Sequence, residues 1–283
     1  MAAESEGVSS RERRDTIQRL LLEQDSVTVR DLAERFNVSA MTVHRDLDAL
    51  ESIGVLRKVR GGATAQPTAV YESSLGFRLG QRPEAKRRIA ELAAARVKPG
   101  ASVALDDSTT TLAMLPFLAE LEDLTIVTYF ASVVEEVARL TPDTLKLIVI
   151  GGTYSHKYHS FGGVLAEEQL LRLSVDHSFI SVPAVDVERG AFHQELDQAA
   201  LKRTLVHVAR DASLLVDATK FESSALHQIV ELAELHAIYV DDRASQEIVA
   251  SLRRSGAEVH VAGGGEPIGA AGNGRAPGGE ERP

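Results

Sequence analysis

The chain has 283 residues, 44% of them hydrophobic and 25% charged, with a formal net charge of −10 and no cysteine, a composition typical of a soluble protein with room for two domains. The N-terminus lacks the apolar core of a secretion signal, no apolar run approaches the roughly 18 residues that span a bilayer, and disulfides and thiolate metal sites are excluded. These features predict a cytoplasmic protein with no membrane partner, and the negative charge permits only a local basic site for nucleic acid.

Three short helices and a basic hairpin are predicted over residues 11–65. Apolar side chains recur at the i, i+3, i+4 spacing of a buried face in these helices. Ser39 is placed to cap the third helix and Gly54 to end it. When the apolar side chains of the third helix face inward, its N-terminal residues point outward, which is the geometry by which a helix-turn-helix enters the major groove of DNA.

The segment VLRKVRGG follows the third helix with three basic residues and two glycines. A tight turn at Gly61 and Gly62 predicts a strand pair that forms a wing resting on DNA phosphates. An ordinary three-helix bundle with a solvated charged face is the alternative interpretation of the helical pattern alone. The residues predicted to contact DNA are Ser39, Ala40, Met41, Thr42, His44, Arg45, Arg57, Lys58 and Arg60.

The rest of the chain divides into a linker, a second domain and a tail. Residues 66–81 have an irregular pattern and are predicted to form a linker. Over residues 82–261, short apolar runs such as SVALD, LKLIVI and AIYVD alternate with amphipathic stretches, which predicts an α/β domain with a mainly parallel sheet buried on both faces. Residues 262–283 hold eight of the 21 glycines and are predicted to be a disordered tail.

Polar residues follow several of the apolar runs, at the points where the strands are predicted to end. In a parallel sheet, ligands bind beyond the carboxyl ends of the strands. Hydroxyl and backbone N–H groups there can hold a phosphate, carboxylates suit sugar hydroxyls, and a lysine can hold an anionic group. The residues that this argument predicts at an effector site are Asp106, Asp107, Ser108, Thr109, Thr110, Gly151, Gly152, Asp217 and Lys220. Helix caps and an ion pair are an equally good interpretation of any one of these loops.

Both halves of the chain resemble one protein family. The stretch from RRDTIQRLL to VRGGA resembles the DNA-binding domain of the DeoR family of bacterial transcription regulators, and VALDDSTTT, VIGG, HQELDQAALKR and LLVDATKF resemble motifs of its sensor domain. The resemblance implies a winged helix-turn-helix followed by a Rossmann-like sensor domain of the ribose-5-phosphate isomerase type, which binds phosphorylated sugars or related metabolites. It also adds Glu195 and Lys202 to the effector site.

Three residues depart from the family pattern. His44 stands where the family has an arginine, and Arg60 stands where it has a histidine, so one base contact is weakened or redirected while the phosphate field is strengthened. Ser108 stands where the family has a glycine, which places a Cβ and a hydroxyl where backbone would approach a ligand. We therefore draw no operator sequence from the resemblance.

The predicted function is a DNA-binding repressor of sugar or related carbon metabolism genes that a sugar-derived, phosphorylated metabolite releases from its operator. The alternatives are an activator, a ligand-independent DNA-binding scaffold and a sugar isomerase fused to a DNA-binding domain. The isomerase is disfavoured because SVPAVDVERGAFHQE lacks the acid pair and glycine run of the isomerases compared. No catalytic residue, cofactor or metal is predicted, and a homo-oligomer of at least two chains is expected because one small module contacts few base pairs.

Overall fold

The computed structural model describes residues 9–24, 26–52, 56–65, 75–140 and 144–263. Three predicted features lie outside these residues: Gly54 as the end of the third helix, residues 66–74 of the linker, and the tail beyond residue 263.

The N-terminal unit has the predicted three helices and hairpin. Its core includes apolar side chains that are at most 1% exposed, among them Ile17, Leu32, Val43, Leu47 and Leu56. Burial of each such side chain contributes about 1.5–3 kcal/mol to folding. The elements are α1 (Ser10–Gln24), β1 (Ser26–Thr28), α2 (Val29–Phe36), α3 (Ala40–Ser52), β2 (Leu56–Val59) and β3 (Gly62–Ala65).

Local signals fix the helix–turn–helix of this unit. The Thr28 hydroxyl accepts a hydrogen bond from the Asp31 N–H at 3.1 Å and begins α2. Asn37, in the left-handed conformation with φ 52°, ends it. The Ser39 hydroxyl then accepts from the Thr42 N–H at 3.2 Å, so the predicted cap of α3 is confirmed.

The wing is a tight hairpin attached to β1. Val59 pairs with Gly62, so Arg60 and Gly61 make the turn, and Gly61 has a φ of +83° that favours glycine. On its other side, β3 pairs with β1 in an antiparallel three-stranded sheet. A Cβ at Gly62 would lie 2.1 Å from the Val27 carbonyl oxygen, so only glycine allows this close approach.

The second unit is built on a seven-stranded sheet in the order β15-β14-β12-β9-β4-β5-β6, with every neighbouring pair parallel. Its helices are α4 (Leu75–Gly80), α5 (Pro83–Ala94), α6 (Thr109–Leu112), α7 (Leu115–Leu118), α8 (Ala131–Leu140), α9 (Val164–Leu170), α10 (Leu196–His207) and α11 (Gln246–Arg254), with short 3-10 turns at Ala218–Phe221 and Leu232–Glu234. The strands of the sheet are β4 (Ser102–Leu105), β5 (Thr125–Thr128), β6 (Lys146–Val149), β9 (Val175–Ile180), β12 (Ala209–Val216), β14 (Ala237–Asp241) and β15 (Glu258–Ala262). Outside the sheet, β7 (Thr153–Ser155) pairs with β8 (Ser160–Gly162), and β10 (Ala184–Asp186), β11 (Gly190–His193) and β13 (His227–Val230) form an antiparallel sheet.

The predicted fold class, a small winged helix-turn-helix unit followed by a mainly parallel α/β domain, is confirmed. Apolar clusters cover the sheet, one including Leu214 and Ile238 and the other including Leu105 and Leu215, which explains why the strands lack polar alternation.

Two of the predicted boundaries differ from the structure. Residues 66–81 are not irregular throughout, because residues 75–80 form α4, whose Leu75 packs against the core of the second unit. The tail does not begin at Ala262, which is 3% exposed and belongs to the parallel strand β15. That strand was not predicted because polar Glu258 and His260 interrupt its apolar pattern.

Candidate functional site

A cavity of about 210 Å3 opens at the carboxyl end of the parallel sheet, where the loops after β4, β9 and β12 meet. This is the place that the sheet topology predicts for a ligand. Seven of the predicted effector residues line it: Asp107, Ser108, Thr109, Thr110, Lys202, Asp217 and Lys220. The sequence analysis did not predict further lining residues, which include Arg78, Gln81, Arg82, Lys86, Tyr158, Ser181, His193 and Gln194.

One wall of the cavity holds a buried lysine between two buried aspartates, which we name the paired cluster: Asp106, Lys202 and Asp107. Lys202 Nζ donates to Asp106 Oδ2 at 2.6 Å and to Asp107 Oδ1 at 2.8 Å, and all three side chains are at most 3% exposed. Burial acts to raise the pKa of Asp107, but the Lys202 ammonium outweighs it and the pKa is lowered. Burial likewise acts to lower the pKa of Lys202, yet its two aspartates raise it. Asp107 and Lys202 are therefore charged, and Lys202 is held by hydrogen bonds to both aspartates.

Asp106 itself lies beneath the cavity. One of its oxygens accepts from the Ser108 N–H at 3.0 Å and the Thr111 hydroxyl at 2.8 Å, and the other accepts from the Ser181 N–H at 2.8 Å as well as from Lys202. The side chain is fully buried. Asp106 therefore organises the loops after β4 and β9 instead of facing a ligand.

The cavity lining carries a second group of charges, which we name the open cations: Arg78, Lys86 and Lys220. Within the described residues none of the three forms an ion pair with a carboxylate, whereas Arg82, between them, lies 3.5 Å from Asp217 Oδ1. Arg78 Nη1 donates to the Asp107 carbonyl at 2.7 Å, and its Nε is buried without a hydrogen-bond partner among the described residues. The open cations are thus held by neutral oxygens or by none.

Lys86 is the most perturbed of the open cations. It is 7% exposed, and its ammonium donates to the Arg78 carbonyl oxygen. Burial lowers its pKa to about 7, and the nearby positive charge of Lys220 adds to this effect. An anion in the cavity would restore the ordinary pKa of Lys86 by supplying the missing negative charge.

Neutral hydrogen-bonding groups complete the cavity. Burial lowers the pKa of His193 to about 4, and its Nδ1 accepts from the Glu195 N–H at 3.0 Å, so the neutral ring carries its proton on Nε2. The His193 ring lies 5.7 Å from the Tyr158 ring, and burial raises the pKa of the Tyr158 phenol. Uncharged donors of this kind suit hydroxyl groups on a ligand.

Ser108 lines the cavity, and its side chain also has a structural role as a helix cap. Its φ of −93° is ordinary for a serine, and its hydroxyl accepts from the Thr111 N–H at 3.1 Å as the cap of α6. Because the hydroxyl also bonds to the Thr111 hydroxyl at 2.9 Å, it turns away from a ligand.

Three other predicted effector residues do not line the cavity. A Cβ at Gly152 would lie 2.4 Å from the Gly162 carbonyl oxygen, so this glycine serves close packing against β8, and Gly151 bonds to the Gln169 side chain. Glu195 forms an ion pair of 2.5 Å with Lys157 outside the cavity. The structure therefore does not bring Gly151, Gly152 or Glu195 into the lining of the cavity.

The predicted DNA contacts share one surface of the N-terminal unit. Ser39, Ala40, Met41 and Arg45 are exposed on α3, and Met41 is 64% exposed, which is unusual for a large apolar side chain. Thr42 and His44 are half-buried on its flanks. A buried ion pair of 2.5 Å between Arg13 and Asp46 ties α3 to α1.

The wing presents two of its three cations freely to solvent. Arg57 and Arg60 are exposed, but the Lys58 ammonium is paired with Asp48 of α3, and the Lys58 N–H donates to Glu51 Oε1 at 2.8 Å. Lys58 therefore fastens the wing to α3, and its charge is partly neutralised before any phosphate approaches. The described part of the chain contains no helix with the length and apolar character needed to cross a membrane.

The chain matches two family models, the DeoR-like helix-turn-helix domain over residues 13–68 and the DeoR C terminal sensor domain over residues 81–242. It is 32% identical to the putative aga operon transcriptional repressor of Escherichia coli O157:H7 over 89% of this chain and 94% of that protein. It is also 32% identical to the L-fucose operon activator of Haemophilus influenzae over 77% of this chain and 87% of that protein.

Among solved structures, the fold is similar to ribose 5-phosphate isomerase A of Methanocaldococcus jannaschii, with a TM-score of 0.37 and 14% identity over 50% of this chain and 55% of that chain. It is also similar to the translation initiation factor eIF-2B of Pyrococcus horikoshii OT3, with a TM-score of 0.41 and 11% identity over 83% and 90%. The two domain matches and the relatives that span nearly the whole chain establish that this protein belongs to the DeoR family of transcriptional regulators.

Proposed function

We propose that the protein represses genes of sugar or related carbon metabolism, and that a phosphorylated sugar or derivative in the cavity releases it from its operator. The N-terminal unit is the DNA-binding part of this proposal, and the cavity is the sensor. The protein acts in the cytoplasm without a cofactor.

The open cations are the observation that carries the effector class. Lys202 is matched by two carboxylates and Arg82 lies near Asp217 and Asp241, so among the described residues the cations of the cavity that form no ion pair are Arg78, Lys86 and Lys220. Hydrogen bonds from charged donors to phosphate oxygens are about twice as strong as those between neutral groups. A phosphate group would therefore supply the negative charge that the open cations lack as an ion-pair partner.

The size of the cavity and its uncharged lining residues favour a small ligand whose phosphate group is attached to a polyhydroxylated carbon skeleton. The volume of about 210 Å3 is below the roughly 300–1,000 Å3 of pockets for drug-sized ligands. Ser181, His193 and Gln194 offer hydroxyl, imidazole and amide groups. These groups match the hydroxyls of a sugar better than an apolar ligand.

Catalysis is not part of the proposal. Sugar isomerisation needs a carboxylate base whose pKa lies near the working pH. Burial acts to raise the pKa values of Asp107 and Asp217, but nearby cations and hydrogen bonds together outweigh it, chiefly Lys202 and Arg78 at Asp107 and Lys220 and Thr219 at Asp217, and both pKa values are lowered. Neither carboxylate that lines the cavity is therefore prepared to accept a proton.

The sign of regulation follows the aga relative, which is named a repressor, while the Haemophilus influenzae relative is named an activator. Activation is therefore the second candidate. We further propose that two or more chains bind one operator, because pairing doubles the phosphate contacts of a small module. Light scattering of the full chain at micromolar concentration tests this, and a strict monomer would contradict it.

A thermal-shift screen tests the effector class. The probes are glucose 6-phosphate, fructose 1-phosphate, fructose 6-phosphate and ribose 5-phosphate, with their free sugars and inorganic phosphate as controls. We expect at least one sugar phosphate to stabilise the protein, by about 2.7 kcal/mol at 100 times its Kd, and its free sugar to have little effect. Stabilisation by free sugars alone, or by none of the probes at millimolar concentration, would contradict the proposed class.

A further inference from the structure

The short helix α4 contacts both units of the protein while belonging to neither matched domain. It lies between the segments 13–68 and 81–242 that the two family models match. Leu75 packs into the core of the second unit, and Arg78 reaches the cavity. On another side α4 packs against α1, where a Cβ at Gly76 would lie 3.6 Å from Gln18 Oε1.

Among the described residues, the side-chain hydrogen bonds that hold α4 against the second unit involve side chains that line the cavity. The Arg78 guanidinium donates to the Asp107 carbonyl at 2.7 Å and to the Tyr158 carbonyl at 3.4 Å. The Arg78 carbonyl accepts from the Lys86 ammonium and from the Thr109 hydroxyl at 3.1 Å. Arg78, Lys86 and Thr109 are therefore engaged with α4 or its surroundings in the ligand-free protein.

A phosphate group in the cavity would compete for these donors. Arg78 and Lys86 now donate to neutral carbonyl oxygens, and charged donors bond more strongly to phosphate oxygens than to carbonyl oxygens. The buried Arg78 Nε has no hydrogen-bond partner among the described residues, so it can be satisfied by the same anion. Recruitment of Lys86 and Thr109 removes the bonds to the Arg78 carbonyl near the end of α4.

We propose that α4 relays occupation of the cavity to the DNA-binding unit: Arg78 binds the anionic group of the effector, and the resulting change in the contacts of α4 displaces it against α1. This inference rests on the proposed function, because it requires an anionic effector in the cavity. A ligand shifts the equilibrium between two arrangements only by its difference in affinity for them, and the exchanged hydrogen bonds of α4 supply that difference.

A rigid connection leads from α1 to the DNA-contacting surface. The buried ion pair between Arg13 of α1 and Asp46 of α3 couples these two helices. Both helices also share the core of the N-terminal unit, through Ile17 and Leu47. A displacement of α1 by α4 therefore reaches the helix whose exposed face includes Arg45.

Gly76 offers a test that leaves the cavity intact. Gly76→Ala is the matched control, because a Cβ there makes only ordinary contact with Gln18. Gly76→Leu places a larger side chain between α1 and α4, and Gln18→Ala removes the contact from the other side as a second variant. Each full-length protein is titrated with the most stabilising of the four sugar phosphates by calorimetry, and operator binding is measured by fluorescence anisotropy with and without that compound.

We expect wild type and Gly76→Ala to bind the sugar phosphate and to lose operator affinity at least tenfold in its presence. We expect Gly76→Leu and Gln18→Ala to bind it within threefold of wild type but to lose less than threefold in operator affinity. We expect Arg78→Gln to bind it at least tenfold more weakly in the calorimetric titration, because the variant lacks the guanidinium that binds the anionic group.

Other results of these titrations would contradict either the relay alone or the proposed effector class. Release by Gly76→Leu and Gln18→Ala equal to that of wild type would overturn the relay while leaving the proposed function in place. Wild-type binding of the sugar phosphate without operator release would also overturn the relay. A wild type that binds none of the four compounds contradicts the proposed effector class, and with it the relay.

Discussion

The two charged walls of the cavity contain similar residue types but differ in how their charges are matched. In the paired cluster, Lys202 lies within hydrogen-bonding distance of two buried aspartates. Among the open cations, Lys86 donates to a backbone carbonyl and Lys220 forms no ion pair in the described part of the chain. We infer from this comparison that a charge lining the cavity has a structural role when its partner lies within the protein, and is free to bind a ligand when it forms no such ion pair.

We expect the largest difference between the paired cluster and the open cations in the free energy of unfolding of variants that lack the lysine. Lys202→Met leaves Asp106 and Asp107 buried without their cation, which costs about 3–5 kcal/mol. Lys220→Met removes a charge with no ion pair among the described residues and should change the free energy of unfolding by less than about 0.5 kcal/mol. Urea denaturation of both variants checks this, and equal destabilisation would remove the distinction between the walls.

The pH dependence of effector binding tests whether Lys86, one of the open cations, gains a proton when a phosphate binds. Burial and Lys220 lower the pKa of Lys86 to about 7, while Asp217 opposes and Arg78 adds to the shift, so Lys86 is largely neutral in the free protein above that pH. A bound phosphate raises this pKa, so binding takes up a proton and affinity falls as pH rises from 7 to 9, by up to about tenfold per pH unit.

The measurement for this prediction is calorimetry with a sugar phosphate in buffers of different ionisation enthalpy at pH 8. Wild type should take up a proton on binding, and Lys86→Met should take up none. The second pKa of a phosphate is near 6, so the compound itself is already a dianion at this pH. Equal proton uptake by both proteins would contradict the role of Lys86.

We expect a smaller effect at the DNA-binding surface, where a paired lysine and an exposed arginine of the wing should contribute differently to the salt dependence of operator affinity. Arg60 is exposed, while Lys58 is paired with Asp48. Arg60→Ala should reduce the slope of log affinity against log salt by about one, whereas Lys58→Ala should reduce it by less because its charge is already partly neutralised. Operator binding between 50 and 300 mM salt, about the range over which such slopes are measured, checks this, and the reverse order would contradict it.

Features that depend on residues close together in the sequence were predictable, whereas features that depend on distant residues were not. The helix caps at Thr28 and Ser39 and the wing turn at Gly61 depend on neighbouring residues, so these features of the N-terminal unit were predictable. Strands buried on both faces were predicted from their continuous apolar runs. The mixed polarity of β15 hid that strand.

The cavity residues that directly follow strands were predictable from the sequence, whereas those on α4 and α5 were not, because the positions of these helices depend on tertiary packing. Asp107 and Asp217 directly follow strands and could be placed from the topology of a parallel sheet. Arg78 and Lys86 lie on helices, and only tertiary packing brings them to the strand ends. The spacing of Arg78, Arg82 and Lys86, each four residues apart, does not mark a shared helical face, because Arg82 adopts the left-handed conformation between α4 and α5.

The most direct test of the central claim is operator binding by wild type, Lys220→Ala and the control Lys98→Ala, each titrated with the sugar phosphate that stabilises the protein most. Lys220 lines the cavity, whereas Lys98 lies exposed in a separate groove. All three should bind the operator equally without the compound, and it should release wild type and Lys98→Ala but leave Lys220→Ala bound. Equal release of all three proteins would contradict the role of the open cations, and tighter operator binding with the compound would reverse the proposed sign of regulation.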